Sequence, residues 1–210
     1  GYTKYLEIGI DDPEYCFNRV AVENKTGIDP YTDEELFKGV HTWKDNADSD
    51  YHAEKLIAKI QGKFHRMTSD GFFKKHIRNT YDIIFIDGLH TEEQADKDIE
   101  NSLKRLRPGG VVVVHDTIPK NITEAIPLPA PGQPWCGEVY RSVWKLRMNR
   151  DDLDIFTWGF NTGTTFIRPG VNVKYYDRNF PGLQMSFQYL EMYKDAVLNI
   201  KSWQWIIGQI

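Results

Sequence analysis

The stretch YDIIFIDGLHTEEQADKDIENSLKRLRPGGVVVVHDTIP, Tyr81 to Pro119, spells one strand, one helix and a second strand, with an acidic residue just beyond each strand. Tyr81 to Ile86 and Val111 to Val114 are continuous apolar runs rich in β-branched residues, the pattern of strands buried on both faces of a parallel sheet. Between them Thr91 and Gln94 form a capping box, and Ala95, Ile99, Leu103 and Leu106 recur on one helical face. Arg107-Pro108-Gly109-Gly110 is expected to stop this helix. A right-handed crossover sets the two strands parallel, so Asp87 and Asp116 should stand side by side, with His90 and His115, at the carboxyl edge. Open α/β sheets bind their ligands at that edge.

Strand and helix signals alternate outward from this unit without an internal repeat. Tyr5 to Ile10 reads as a first strand, and Val20 to Asp29 holds a second that ends at Gly27-Ile28-Asp29-Pro30, where the proline forces the exit. Tyr31 to Ser49 is polar and irregular, His52 to Lys59 helical, Lys63 to Met67 a short strand, and Gly71 to Asn79 a helix leading into Tyr81. Ile118 to Pro134 carries five prolines and reads as a long loop over the sheet edge. A helix over Gly137 to Met148 follows, then an apolar hairpin of Leu153 to Trp158 and Gly163 to Arg168. The tail is helical from Phe187 to Ile200, and Trp203 to Ile207 is apolar enough to need a docking surface, on this sheet or on a second copy in a homo-oligomer.

Composition narrows the classes. At 210 residues and 40% hydrophobic content the chain can bury one substantial core, so 1–210 is read as a single domain. It opens on Gly1 rather than Met, as a domain cut from a longer protein would. With 26 basic against 30 acidic residues and no basic stretch interleaved with aromatics, nucleic acid is not an expected partner. No segment reads as a signal peptide or membrane span, and Cys16 and Cys136 are too few for a disulfide framework or zinc site. Two reduced thiols fit a cytoplasmic location.

The order of elements, five strand–helix units and a terminal antiparallel hairpin, resembles the class I S-adenosylmethionine (SAM)-dependent methyltransferases. The resemblance rests also on YLEIGI at Tyr5–Ile10, GIDP at Gly27–Pro30, TSDGFF at Thr68–Phe73, and IDGLH, RPGG and HD around the fourth and fifth strands. It implies a Rossmann-like, doubly wound, mostly parallel seven-stranded sheet with a C-terminal antiparallel hairpin. It also implies SAM as cofactor, with Glu7 and Gly9 facing its amino end, Asp29 its ribose, Ser69 and Asp70 its adenine, and Asp87 and Gly88 its close approach. A small subgroup found beside glycosyltransferases carries a WCG segment like Trp135-Cys136-Gly137, which points to a sugar or glycan acceptor. One departure stands out: after Gly9 the first motif continues as Ile10-Asp11-Asp12-Pro13-Glu14 rather than through further glycines. An acidic loop disfavours a dinucleotide, whose pyrophosphate needs a glycine-rich turn free of negative charge, but it tolerates a sulfonium cation.

Several residues also have plainer readings. Glu7 in an apolar strand is costly unless paired. Ser69 and Asp70 serve equally as a helix N-cap, and His90 as a cap of the next helix. Glu92, Glu93, Asp96, Asp98 and Glu100 read as the wet face of the crossover helix, while Arg141 and Lys145 read as solvated positions. Trp135, Tyr140, Trp144 and Trp158 are candidates for a ring platform under a sugar or for ordinary core.

Methyl transfer to a hydroxyl requires the acceptor oxygen to be held on the axis of displacement while its proton is removed. Either His115 or His90 acts as general base beside Asp87, or Asp87 and Asp116 hold Mg²⁺ or Mn²⁺ that acidifies the acceptor. The alternatives of another class are a metal-dependent oxygenase or hydrolase using His90, His115 and Asp116, and a catalytically silent domain that binds a glycan or partner. The HxD spacing of the oxygenases is absent.

Overall fold

The computed structural model describes residues 1–30, 49–129, 134–173 and 185–209, with 49–52 described in backbone only. Of the polar stretch expected to be irregular from Tyr31 to Ser49, residues 31–48 lie outside the described residues, as do 130–133 of the proline-rich loop, and Ser49 instead opens a helix. In chain order the elements are β1 (Lys4–Ile8), a 3₁₀ turn (Phe17–Arg19), β2 (Asn24–Ile28), α1 (Ser49–Ile57), β3 (Lys63–His65), α2 (Ser69–Lys75), β4 (Tyr81–Ile86), α3 (Glu92–Leu103) and β5 (Leu106–His115). There follow α4 (Val139–Asn149), β6 (Leu153–Trp158), β7 (Thr164–Pro169), α5 (Phe187–Val197), β8 (Ile200–Lys201) and α6 (Trp203–Ile207).

The strands form one sheet in the order β3-β2-β1-β4-β5-β7-β6-β8. The first five are mutually parallel, β7 runs antiparallel between β5 and β6, and the two-residue β8 adds a parallel eighth strand beside β6. The mostly parallel sheet with its antiparallel hairpin is therefore present, extended by β8 where the tail was expected to be helical to Ile200. Strand order reverses at β1 and β4, so the ligand crevice of such a sheet opens beyond Ile8 and Ile86.

Period-two alternation divides the strands between two cores. Leu6, Ile8, Ile84, Ile86, Val112 and Val114 join the larger one under α2 to α5, while Tyr5 packs with Ile10 and Phe17 on the other face, against Ile83 and Phe85. Tyr140 and Trp144 are 1% and 2% exposed and belong to the larger core, which removes them from any sugar platform. Helix α3 ends at Leu103, short of Arg107-Pro108-Gly109-Gly110, and that segment lies inside β5. The amide of Tyr81 takes the carbonyl of Arg105, so the chain is drawn into the sheet as soon as the helix closes. The ladder to β4 then shifts register between Tyr81 and Ile83, opposite a proline that has no donor and two glycines that bend freely.

The wet face read for α3 is also corrected. Asp98 is 1% exposed, and Glu92 and Asp96 pair with Lys145 while Glu92 also meets Arg141. The two basic residues are thus seams between α3 and α4 rather than solvated positions.

Candidate functional site

Four side chains converge where β4 and β5 end. Parallel pairing of Ile86 with Val114 carries Asp87 and Asp116 to the same edge, and His90 returns to it because the turn after Asp87 leads into α3. His90 Nε2 lies 3.2 Å from Asp87 Oδ1 and 3.7 Å from Asp116 Oδ2. His115 Nδ1 lies 3.3 Å from both Asp87 Oδ2 and Asp116 Oδ1 but is not aligned for a hydrogen bond to either, and it is shielded from solvent. Nε2 of His115 has no protein partner among the described residues. Asp116 takes the left-handed conformation, φ 57°, which an aspartate tolerates better than most residues and which turns the chain sharply off β5.

The electrostatics follow from this packing. Burial alone would raise the Asp87 carboxyl, but His115 and His90 outweigh it and hold the group well below the usual carboxylate range. Burial opposes protonation of both histidines, yet contact with Asp87 and the added charge of Asp116 raise them.

His90 is further tied to the segment from Trp135 to Glu138. Its Nδ1 stands 2.9 Å from the carbonyl oxygen of Trp135, and its own carbonyl accepts the amide of Glu138 at 2.8 Å. A carbonyl only accepts, so Nδ1 carries the hydrogen. The cap of α3 is Thr91, whose hydroxyl accepts the Gln94 amide, so the plainer reading of His90 as a helix cap does not apply.

The residues expected around a cofactor line the same edge on the β1 and β2 side. Gly9 has φ 80°, and a Cβ there would overlap the carbonyl oxygen of Asp87, so β1 and β4 approach backbone to backbone beside the crevice. Asp29 Oδ2 accepts the amide of Ile10 at 2.9 Å and that of Asp11 at 3.4 Å, which pins the acidic loop after β1. Gly88 leaves ordinary space toward Ile8 and Asp98.

Glu7 points away from the larger core, 1% exposed, with the Tyr5 hydroxyl donating to its Oε2. Burial pushes its carboxyl up to about 7. Its pairing with Tyr5 is what makes a carboxylate tolerable in that strand.

The cap of α2 is Thr68, not Ser69 or Asp70. Ser69 is buried, and its hydroxyl accepts from Gln94 Nε2 at 3.2 Å, while the same nitrogen reaches Asp98 Oδ1 at 3.0 Å and Asp70 Oδ1 at 3.4 Å. That network joins the start of α2 to α3. The sequence reading missed it because it placed Asp98 in solvent.

Two groups can be tested for fit. The ligand atoms of Asp87, His90 and Asp116 all lie within 4.8 Å of one another. Adjacent ligands of an octahedral ion with bonds of about 2.1 Å stand about 3 Å apart, so the three can share one divalent cation after small movements. SAM fits the crevice as well: bare backbone at Gly9, a carboxylate at Asp29 and acidic surroundings suit a sulfonium cofactor with a ribose diol.

Comparison with known proteins bears on the fold and the family. Residues 15–117 match a family described as a methyltransferase domain. The SAH-bound Podospora anserina methyltransferase PaMTH1 is similar at TM-score 0.54 and 17% identity, covering 80% of this chain and 72% of that one. TomG, the O-methyltransferase of Streptomyces achromogenes involved in tomaymycin synthesis, is similar at TM-score 0.49 and 18% identity, covering 80% and 73%. No curated protein matches the chain. The likeness to PaMTH1 shows the fold, an α/β Rossmann-like methyltransferase fold.

Proposed function

We propose that this chain, which has the class I methyltransferase fold and matches a methyltransferase domain over residues 15–117, is a SAM-dependent O-methyltransferase acting on the hydroxyl of a small acceptor, with a sugar as the favoured class. The observation that carries the reading is the position of His115, its Nδ1 against Asp87 and Asp116 and its Nε2 without a protein partner, at the carboxyl edge of β5.

SAM, when bound, supplies an electrophilic methyl on a sulfonium. The chain's part is to hold the acceptor oxygen and take its proton. The carboxylates of Asp87 and Asp116, each 3.3 Å from Nδ1 of His115, would favour the hydrogen on that nitrogen by charge, leaving the Nε2 lone pair to accept the acceptor's proton as the new O–C bond forms. Gly9, Asp29, Asp70 and Gly88 would hold the cofactor. Asp87, His90 and Asp116 would hold Mg²⁺ or Mn²⁺, which would lower the acceptor's pKa and orient it.

The sugar class is supported by the WCG resemblance and by a cluster of rings, partly open to solvent, near the end of β6. Trp158 and Phe160 stack at 5.0 Å and 16°, Trp203 meets Trp158 at 4.7 Å, and Phe160 is 60% exposed. An oxygenase of the facial-triad kind needs two imidazoles and one carboxylate on one ion, whereas the three residues whose ligand atoms lie close enough to share an ion here are two carboxylates and one imidazole, Asp87, Asp116 and His90.

Calorimetry with SAM and with its demethylated product should show tight, mutually competitive binding. Absence of both would reject the reading, and binding without turnover on any hydroxyl acceptor would leave the silent domain. With an acceptor found, His115→Ala should lower kcat by about a hundredfold or more with cofactor affinity kept. Loss of turnover to a chelator and its return with Mn²⁺ supports the cation, and indifference to the chelator rejects it.

A further inference from the structure

Glu124 lies in the proline-rich loop, 6% exposed, with no cationic partner among the described residues. Its carboxylate is instead satisfied inside the loop: Oε2 accepts the Lys120 amide at 2.8 Å and Oε1 accepts Asn121 Nδ2 at 3.1 Å. Its main-chain oxygen accepts two amides, those of Cys136 and Gly137, each at 2.9 Å. Trp135 is clamped in the same unit, since its Nε1 donates to the carbonyl of Ile126 at 2.7 Å.

The start and the end of the loop are thereby fastened to each other, and the end in turn fastens to His90. The Trp135 carbonyl takes His90 Nδ1, the rings of His90 and Trp135 lie 5.0 Å apart, and the Glu138 amide takes the His90 carbonyl. Gly137 has φ 59°, and a Cβ there would overlap the His90 carbonyl oxygen, so only glycine lets the two backbones meet.

We infer that Glu124 and the segment Trp135–Gly137 are positioning residues for His90, holding its ring with Nδ1 on a backbone carbonyl so that Nε2 is aimed at Asp87 and Asp116. The physical need is clear. An imidazole has two equivalent-looking nitrogens, and whichever donates to a fixed acceptor leaves the other to face the site. A carbonyl acceptor cannot be reversed by a flip of tautomer, whereas a water or hydroxyl partner could. The burial of Glu124 is explained on the same grounds: a carboxylate with four acceptor positions ties the loop's turn together where a neutral side chain would leave amides unpaired. The arrangement assigns the WCG segment a task at the site rather than a place in the acceptor pocket.

The inference rests on the methyltransferase reading only for its consequence on turnover; the tautomer stands apart from it. Long-range proton–nitrogen NMR of protein labelled at its six histidines reads the state of His90 directly, with His90→Gln to assign the signal. In the wild type Nδ1 should be the protonated nitrogen whenever the ring is neutral. In Trp135→Phe, which keeps the backbone carbonyl but loses the bond to Ile126, and in Glu124→Ala, that preference should weaken. Affinity for Mn²⁺ alone, followed by its paramagnetic resonance signal, should fall about tenfold to a hundredfold, the usual effect of losing a residue that orients a ligating histidine. Affinity for the demethylated cofactor should not change. Should Glu124→Ala fail to fold, Trp135→Phe decides. An unaltered nitrogen pattern in a folded variant, or a wild-type His90 protonated at Nε2 alone, overturns the inference. A wild type that binds neither SAM nor its product sinks the methyltransferase reading instead and leaves the tautomer result to judge the positioning.

Discussion

Gly9 and Asp29 make the proposed cofactor edge of this sheet depend on two single residues. Gly9→Ala combines a positive φ with overlap of the Asp87 carbonyl oxygen, so it should cost about 3 kcal/mol in urea unfolding and abolish binding of the demethylated cofactor. Asp29→Ala removes both the proposed ribose contact and the acceptor for the Ile10 and Asp11 amides. Losing hydrogen bonds to a charged group at about 1.5 to 3 kcal/mol each should weaken that binding at least a hundredfold or so by calorimetry. Asp29→Asn, which keeps an acceptor, should lose less. Unchanged affinity in Asp29→Ala would take the residue out of the site. The glycine at position 9 was visible in the sequence, but that its absent side chain makes room for β4 rather than for the ligand was not, because that contact joins residues 78 apart in the chain.

At the scale of elements, α3 differs most from its reading. Its pattern of acids suggested one solvated face, yet Asp98 turns inward to Gln94 and Ser69 and is pushed up to about 6 by burial. An acid whose folded value lies above its ordinary value of 3.8 binds protons more tightly in the native state. Its contribution to stability is therefore greatest below about pH 4, declines as pH rises to about 6, and is flat beyond. Asp98→Asn keeps an acceptor for Gln94 and removes the ionisation. The difference in unfolding free energy between variant and wild type should then move in the variant's favour by a few kcal/mol between about pH 4 and pH 7, because each tenfold gain in proton affinity on folding is worth about 1.4 kcal/mol. A constant difference across that range would show that Asp98 is not held protonated. Helix α3 was legible by period and cap, and its inward acid was not, because period alone cannot see that α2 lies over that position.

Across the whole molecule, the last turn closes the sheet. The apolar tail docks on the sheet flank: Ile206 is fully buried, Trp205 sits edge-on to Phe156 at 5.0 Å, and Trp203 covers Trp158. Ile206→Ala should cost about 3 kcal/mol in urea unfolding, and a cost below about 0.5 kcal/mol would mean that α6 is not part of the cooperative fold. Ile207 and Trp203 stay 53% and 43% exposed, and a homo-oligomer contact is proposed there. Sedimentation at rising concentration should show self-association that Trp203→Ala removes, and a monomer throughout would reject the contact. No described helix is long and apolar enough to cross a membrane. The alternation of apolar runs with capped helices was enough to read the parallel core and to bring Asp87, His90, His115 and Asp116 to one edge, because hydrophobic period, caps and crossover handedness are local or universal rules. Which nitrogen of His90 faces that edge, why Glu124 is buried, where Glu7 and Asp98 point and that β8 extends the sheet all turn on contacts between segments far apart in sequence. Such contacts are settled when the layers pack, and no local pattern encodes them.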